Sequence, residues 1–260
     1  MEAVVLSDLH SDHWRGTGNI LDLLHFDKDK VEAVFVAGDA GEWIGGMGED
    51  NPMVVRVFEP LNRLGIPVFS VSGNHEYYYT DLLQVDKEME EVSHLFENWH
   101  HLQGGQSRLL GDEYAVIGAT LWTPLAGIGN PIRSKRGMRD MNDRKYIKIG
   151  GKKFDYKQVI TLHEAHLKGI KEALERHKDR KCIIMTHHAP SYKRIPKRYM
   201  FDACNIAYAS EVANQIQAHA WISGHIHESF YMEINNTLHI SNPLGYPGEG
   251  LPVFEGTYTL

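Results

Sequence analysis

Short apolar runs alternate along the chain with segments in which apolar residues recur every three or four positions. Such runs are typical of buried strands, whereas the wider spacing marks one face of a helix. Strands are predicted at Ala3–Ser7, Glu32–Ala37, Ile66–Val71, Glu113–Ala119, Cys182–Thr186 and Ala220–Ser223. Helices are predicted at Pro52–Leu64, from Leu82 to Trp99, and from a capping box at Thr161–Glu164 to about His177.

The last part of the chain has a different pattern, because strands follow one another without helices between them. Phe230–Ile234 and Thr237–Ile240 flank Asn235-Asn236, which predicts a hairpin, and a last strand is expected near Val253–Thr259. Alternating strands and helices followed by a run of strands predict an α/β fold, with a mixed sheet or two packed sheets and helices outside. Since no repeat or linker interrupts this pattern, residues 1–260 are expected to form a single domain.

Length and composition indicate an ordinary globular protein. The 260 residues are 42% hydrophobic and 23% charged, which supplies enough apolar material for a sizeable core. No window approaches the roughly 18 consecutive apolar residues of a membrane span. The first residues enter a strand without a basic leader segment, and the two cysteines, Cys182 and Cys204, cannot form a disulfide framework. A cytoplasmic location without membrane contact is therefore expected.

Clusters of carboxylate, amide and imidazole side chains follow five of the predicted strands. They are Asp8-x-His10, Gly38-Asp39, Gly73-Asn74-His75-Glu76, Thr186-His187-His188 and Gly224-His225-x-His227. Ligands collect at the carboxyl ends of strands in such sheets, so the five loops are expected to converge. Oxygen and imidazole ligands without thiolate suit Mn, Fe, Zn or Ni. Their number is too large for one ion but suits two, which a shared carboxylate would hold about 3.5–4 Å apart.

This ordered set of motifs resembles that of the calcineurin-like metallophosphoesterase superfamily. The motifs extend from Asp8 to His227, and the segments Gly118–Trp122, Thr186–Ser191 and Asn242–Tyr246 are similar to those of compact bacterial or phage-type members. The resemblance implies a β-sandwich of two mixed sheets flanked by helices. It also implies hydrolysis of phosphomonoesters or phosphodiesters by a hydroxide that bridges two divalent metal ions. Manganese is the expected metal, with Fe, Zn or Ni as alternatives.

The resemblance further implies a role for each motif residue. One metal would be held by Asp8, His10, Asp39 and His227, and the other by Asn74, His187 and His225 together with Asp39, which bridges the two. His75 matches the family histidine that faces the scissile phosphate, and it is the expected acid for the leaving group. His188, next to a ligand, is expected to support the ligands or to contact substrate. Glu76 would either orient a metal-binding imidazole or favour a helix N terminus.

Basic residues are concentrated in two segments of an otherwise acidic chain. The chain has 27 Lys and Arg against 34 Asp and Glu, yet nine basic residues lie between Arg133 and Lys153. Residues 123–153 show little regular pattern and are expected to form a basic lid region. Lys193, Arg194, Lys197 and Arg198 are expected to form a cationic rim beside the site. Such loops would concentrate anionic substrates, and a solvated loop without function is the alternative.

The expected substrate is a small phosphoester or a nucleotide. Long nucleic acid is not expected, because non-specific binding to its backbone requires a broad basic surface. A non-catalytic scaffold with the same fold is the alternative function, but such relatives lack catalytic or metal-site residues, whereas this chain has His75 and the complete ligand set. A single-zinc hydrolase is a further alternative, and it would bind one metal per chain without a bridging carboxylate.

Overall fold

Thirteen strands and four α-helices are found in the computed structural model, which describes residues 1–16, 18–48, 50–126, 138–139, 141–200, 202, 204–249 and 257–260. The strands are β1 (Glu2–Leu6), β2 (Ala33–Ala37), β3 (Val68–Val71), β4 (Trp99–His101), β5 (Gln106–Leu110), β6 (Tyr114–Ala119), β7 (Lys148–Ile149), β8 (Lys152–Lys153), β9 (Lys181–Thr186), β10 (Ala220–Ile222), β11 (Phe230–Ile234), β12 (Thr237–Ser241) and β13 (Tyr258–Thr259). The helices are α1 (Glu59–Asn62), preceded by a π-helical turn at Val54–Phe58, α2 (Leu82–Leu95), α3 (Asn142–Tyr146) and α4 (Tyr156–Arg176). Within the described ranges, no helix combines the length and the apolar character that a membrane span requires.

Eleven of the described strands form two mixed sheets, as the family resemblance implies, and β7 and β8 form a separate two-stranded sheet. The first has the order β13-β1-β2-β3-β4, and its strands pair in parallel except for β13 at the edge. The second has the order β11-β12-β10-β9-β6-β5, in which the edge strands β11 and β5 are antiparallel to their neighbours. The predicted strands from Ala3–Ser7 to the hairpin at Asn235-Asn236 are confirmed to within two residues at each end.

The two sheets face each other across a shared apolar core, and helices cover their outer faces. Phe35 and Phe69 of the first sheet share this core with Ile183 and Met185 of the second. The next residues of each strand point outward, so that helices α1 and α2 pack on the first sheet and α4 packs on the second. Because both faces of each central strand are buried, the strands are continuous apolar runs rather than alternating ones.

Helix α4 begins five residues before the predicted capping box, so the prediction of its start is wrong. The side chain of Asp155 accepts hydrogen bonds from the backbone N–H groups of Lys157 and Gln158, and the Gln158 side chain accepts one from the Asp155 N–H. This reciprocal pair satisfies the free N–H groups of the first turn. Thr161 therefore lies inside a helix that has already begun.

The prediction of one helix from Leu82 to Trp99 is also wrong at its end. Helix α2 ends at Leu95, the backbone becomes extended at Phe96, and Trp99 begins strand β4. The Trp99 ring nevertheless packs 4.2 Å from that of Phe58 in the same core. The apolar spacing therefore continues past the helix because the strand buries its side chain against the same neighbours.

The expected lid region contains regular structure in its described part. Helix α3 and the β7-β8 hairpin lie between residues 142 and 153, while residues 127–137 and 140, including Arg133, Lys135 and Arg136, lie outside the described residues. Residues 253–256 of the last predicted strand also lie outside them, and Tyr258–Thr259 is a strand as expected.

Candidate metal centre

The five predicted clusters lie together at the carboxyl ends of the parallel strands of both sheets. Asp8 follows β1, Asp39 follows β2, and the other clusters follow β3, β9 and β10. Asp8, His10, Asp39, His225 and His227 all have positive φ angles between 45° and 71°, a region that residues with a Cβ atom rarely adopt. Backbone strain of this kind is typical of functional sites, where the surrounding structure enforces the position of a side chain.

One group of side chains comprises Asp8, His10 and His227. The Nε2 atoms of His10 and His227 lie 3.1 Å apart, and His227 Nε2 is 3.5 Å from Asp8 Oδ1. One ligand atom from each of the three residues can be chosen so that all lie within 4.8 Å of one another. We refer to these three residues as the first cluster.

A second group comprises Asp39, Asn74, His187 and His225, and we call it the second cluster. His187 Nε2 lies 3.1 Å from Asn74 Oδ1, 3.1 Å from His225 Nδ1 and 3.4 Å from Asp39 Oδ2. The same Asp39 oxygen is 4.0 Å from His10 Nε2 in the first cluster. One carboxylate oxygen therefore faces both clusters, a position from which it could bridge two ions.

The arrangement of lone pairs in both clusters fits divalent cations. Nitrogens of His10 and His227 face each other, as do nitrogens of His187 and His225. Such pairs repel unless a proton or a cation lies between them. The other ring nitrogen of His187 is 2.9 Å from the Ala37 carbonyl oxygen, so that it donates a hydrogen bond and leaves Nε2 free as a ligand. The residues present therefore fit two metal ions.

The titration of the second cluster favours the same conclusion. Burial disfavours a charged imidazole, but the Asp39 carboxylate beside it raises the pKa of His187 to about 10. Although burial also opposes ionisation of Asp39, the imidazoles of His187 and His75 hold the pKa of this carboxyl well below its usual range. A proton on His187 thus compensates the Asp39 charge, and a cation held by these residues would take the place of this proton.

Glu76 holds the loops of the second cluster together. It is 2% exposed, and its carboxylate accepts hydrogen bonds from the backbone N–H groups of Asp39 (3.1 Å), Ala40 (2.8 Å) and Gly73 (2.7 Å). Burial, reinforced by the nearby Asp39 charge, raises the pKa of Glu76 to about 8. Its hydrogen bonds in the described residues are with backbone N–H groups, and it interacts with the His187 imidazole through its charge alone. It also lies in the first turn of a short 3₁₀ helix, His75–Tyr77, which agrees with the helix N-terminus alternative.

Replacing Glu76 by alanine is expected to lower the free energy of unfolding by about 3 kcal/mol or more, because three buried N–H groups lose their acceptor. Chemical denaturation of the metal-free protein measures this loss. Glu90→Ala is the matched control, since Glu90 is exposed on helix α2. A Glu76→Ala variant as stable as the Glu90→Ala variant would show that the three hydrogen bonds do not stabilise the fold.

Asn74 is oriented by a residue that the sequence did not indicate. Its Nδ2 atom donates to Asp143 Oδ1 (3.0 Å) and to the Tyr78 hydroxyl oxygen (3.0 Å), which directs Oδ1 toward His187. Asp143 lies on helix α3 within the expected lid region and is 3% exposed. In the sequence it is one of two acidic residues in a basic segment, and no local pattern distinguishes it.

Asp143→Ala is expected to weaken metal binding at the second cluster by about 10- to 100-fold, because loss of a group that orients a ligand has effects of this size. Metal binding at the first cluster should persist. Titration with Mn²⁺ followed by elemental analysis measures both sites, and Arg144→Ala at the exposed next position is the control. Equal weakening of both sites would indicate a general structural defect instead.

His75 lies between the two clusters at the mouth of the site. Its Nε2 atom is 2.9 Å from the Tyr246 hydroxyl oxygen, and its ring is 4.6 Å from that of His10. Its ring nitrogens can also be grouped with ligand atoms of His10 and Asp39. The Tyr246 ring in turn stacks on His10 at 4.2 Å. The segment Asn242–Tyr246 was noted in the sequence, but no role could be assigned to its tyrosine.

The side chains expected to bind substrate lie outside the cavity that opens onto the two clusters. This cavity has a volume of about 370 Å³. His188 is buried beside it, and its ring packs 4.3 Å from that of His225 in the second cluster. Arg194 is also buried, because its guanidinium stacks 3.7 Å over the Phe230 ring.

The other members of the expected cationic rim are at the surface. Lys193 and Lys197 are exposed. Arg198 is exposed as well, and it forms an ion pair with Glu228 at 3.4 Å. Together with the burial of Arg194, this means that the four residues do not form one continuous rim of exposed charge.

Comparisons with known proteins agree with this geometry. A sequence model described as calcineurin-like phosphoesterase matches residues 1–229. An uncharacterized protein of Acanthamoeba polyphaga mimivirus is 25% identical over 269 aligned positions, which cover 94% of this chain and 91% of the relative. The crystal structure of phosphopantetheinyl hydrolase from Mycobacterium tuberculosis superposes with a TM-score of 0.68 at 12% identity, covering 95% of this chain and 90% of that one. At such low identity, the structural likeness concerns the fold alone.

Proposed function

Because the chain belongs to the calcineurin-like phosphoesterase family, we propose that it hydrolyses phosphoesters with the help of two divalent metal ions. The observation that carries this proposal is the position of Asp39, whose Oδ2 atom lies 3.4 Å from His187 Nε2 and 4.0 Å from His10 Nε2. One carboxylate can thus serve both clusters. A single-zinc hydrolase would not require a carboxylate shared between two clusters.

The proposed ligand sets follow the two clusters. Asp8, His10, Asp39 and His227 hold one ion, and Asp39, Asn74, His187 and His225 hold the other. Manganese is the proposed metal, with iron, zinc or nickel as alternatives that the same oxygen and imidazole ligands also suit. Two such cations lower the pKa of a water molecule toward neutrality and neutralise the phosphoryl oxygens during in-line attack.

His75 is the proposed acid for the leaving group. It lies beside both clusters, and a hydrogen bond between its Nε2 atom and the Tyr246 hydroxyl holds the ring in place. A proton on the His75 imidazole can be transferred to the departing oxygen of the ester, which would otherwise leave as an alkoxide. The backbone N–H of His75 donates to Asp39 Oδ1 at 2.8 Å, so the position of its ring is tied to that of the shared carboxylate.

The proposed substrate is a small phosphoester or a nucleotide, in agreement with a cavity of about 370 Å³. Long nucleic acid is not proposed as a substrate. The exposed Lys193 and Lys197 would act only by attracting anionic substrates toward the site through long-range electrostatics. The proposed compartment is the cytoplasm, because two cysteines in 260 residues do not supply the disulfide framework that is common in secreted proteins.

Hydrolysis by metal-loaded protein tests the proposed function. p-Nitrophenyl phosphate, its bis ester and a set of nucleotides are offered to protein loaded with Mn²⁺ and to protein treated with EDTA. Hydrolysis of at least one class, abolished by EDTA and restored by Mn²⁺, is expected. Protein that binds two metals but hydrolyses none of these esters would instead be a scaffold that retains the fold.

A further inference from the structure

The cavity over the two clusters has an aromatic wall that no metal motif accounts for. Tyr199 and Tyr208 lie on it with ring centroids 5.5 Å apart and planes at 66°. The Tyr208 ring is 5.9 Å from the ring of His225, a member of the second cluster. Both tyrosines are half-buried. The wall is therefore next to the place where the phosphoryl group would lie.

Backbone contacts fix this wall to the loop that carries a metal ligand. The Ala189 N–H donates to the Tyr208 carbonyl oxygen at 3.4 Å, and the Ser210 N–H donates to the Ala189 carbonyl oxygen at 2.9 Å. Ala189 lies two residues after His187 on the same loop.

The charges around the cavity disfavour additional phosphates. Asp143 and Glu249 contribute to its walls, whereas no lysine or arginine is among the described residues that line it. Arg198, the nearest rim residue in sequence to Tyr199, packs 4.8 Å over that ring and pairs with Glu228. Among the described residues that line the cavity, a second or third phosphate would meet the carboxylates of Asp143 and Glu249 and no lysine or arginine.

We propose that this cavity recognises a phosphoester with a single phosphate, whose planar aromatic group packs against Tyr199 and Tyr208. The inference rests on the proposed function, since it assigns the ester group of the same reaction. Aromatic rings gain from pairing with one another beyond the area they bury. The volume of about 370 Å³ is near the lower end of the range for ligand pockets, which suits a small ester.

Binding of two matched phosphonates to the Mn²⁺-loaded protein tests the proposal without turnover. Benzylphosphonate and cyclohexylmethylphosphonate have the same charge and nearly the same length, but only benzylphosphonate carries an aromatic ring. Benzylphosphonate is expected to bind roughly 3- to 10-fold more tightly in calorimetric titration. Equal affinities, or a preference for the cyclohexyl compound, would overturn the proposal.

Variants of the two tyrosines show whether this wall causes the preference. Tyr199→Leu and Tyr208→Leu should each reduce the preference for benzylphosphonate, whereas Tyr199→Phe and Tyr208→Phe, which retain the ring, should keep it. Tyr231→Leu on strand β11 is a control, because Tyr231 is 57% exposed and does not line the cavity. Unchanged preference in both leucine variants overturns the proposal. If these variants do not fold, the phosphonate pair on the unaltered protein decides.

The number of phosphates and the source of the ring are tested on the same protein. AMP should bind at least as tightly as ADP and ATP at saturating Mn²⁺, and a tenfold or greater gain with each added phosphate would overturn the proposal. Comparison of AMP with phosphotyrosine distinguishes a nucleobase from a phenyl ring. A protein that prefers benzylphosphonate to cyclohexylmethylphosphonate but hydrolyses no ester would contradict only the proposed function. A protein that hydrolyses esters but binds the two phosphonates equally would contradict only the proposed recognition of an aromatic group.

Discussion

Asp39→Asn is expected to deplete both metal sites at once and to abolish most of the hydrolytic activity. The residue offers one oxygen to both clusters, at 3.4 Å from His187 Nε2 and 4.0 Å from His10 Nε2. Asparagine has nearly the same shape but no charge, and it cannot bridge two cations as a carboxylate does. Since loss of a group that merely orients a ligand costs up to about 100-fold in affinity or activity, loss of a shared ligand should cost more.

Elemental analysis and kcat/KM of the Asp39→Asn variant measure this prediction. Asp86→Asn provides the matched control, because Asp86 is a half-buried carboxylate, accepts a hydrogen bond from the Tyr77 hydroxyl at 2.6 Å, and lies outside both clusters. The control should retain both metals. An Asp39→Asn variant that retains two metals per chain and its activity would contradict the assignment of the bridge.

His75→Asn is expected to lower kcat by about 100-fold while the metal content stays at the level of the unaltered protein. His75 lies between the clusters, but the proposed ligand sets are complete without it. If it donates a proton, the loss should be large for alkyl phosphates and small for p-nitrophenyl phosphate, whose leaving group departs without protonation. Such a pattern would show that His75 stabilises the transition state of the reaction rather than the bound substrate.

Steady-state kinetics with the two kinds of ester, together with metal analysis, checks the role of His75. His13→Asn is the control, since His13 is near the first cluster but 48% exposed. Equal losses for good and poor leaving groups would restrict His75 to stabilising charge. Loss of a metal from the His75→Asn variant would make it a ligand, which its proximity to His10 and Asp39 also permits.

The parts of the structure that the sequence predicts correctly depend on local patterns. Buried strands such as β2 and β9 are apolar on both faces, so each is recognisable as a continuous run bounded by a motif. The five clusters are likewise local, since each follows a strand within a few residues. Because parallel strands bring their carboxyl ends to one edge, the convergence of the clusters also follows from the pattern.

Contacts between distant parts of the chain are not visible in the sequence. Asn74 meets Asp143 across 69 positions, and His75 meets Tyr246 across 171. Neither partner has a periodic or spaced pattern that could connect it to the site. Glu76 is part of the motif Gly73-Asn74-His75-Glu76, but its role as an acceptor for backbone N–H groups depends on how two loops meet.

The prediction that Arg194 is exposed is wrong for a related reason, because a run of charges in the sequence indicates a solvated loop. Arg194 is instead covered by Phe230, which lies on the β11-β12 hairpin 36 positions later in the chain. The aromatic cavity wall was missed as well, since Tyr199 and Tyr208 have no common spacing with the ligands and meet only in the folded loop.

The central claim is that one chain binds two metals and uses both to hydrolyse phosphoesters. Stepwise titration of metal-free protein with Mn²⁺, with bound metal and hydrolysis of p-nitrophenyl phosphate measured at each step, tests it most directly. We expect two ions per chain at saturation and an activity that reaches its maximum only as the second site fills. Full activity with one ion bound, and no further uptake at saturating Mn²⁺, would contradict the two-metal account.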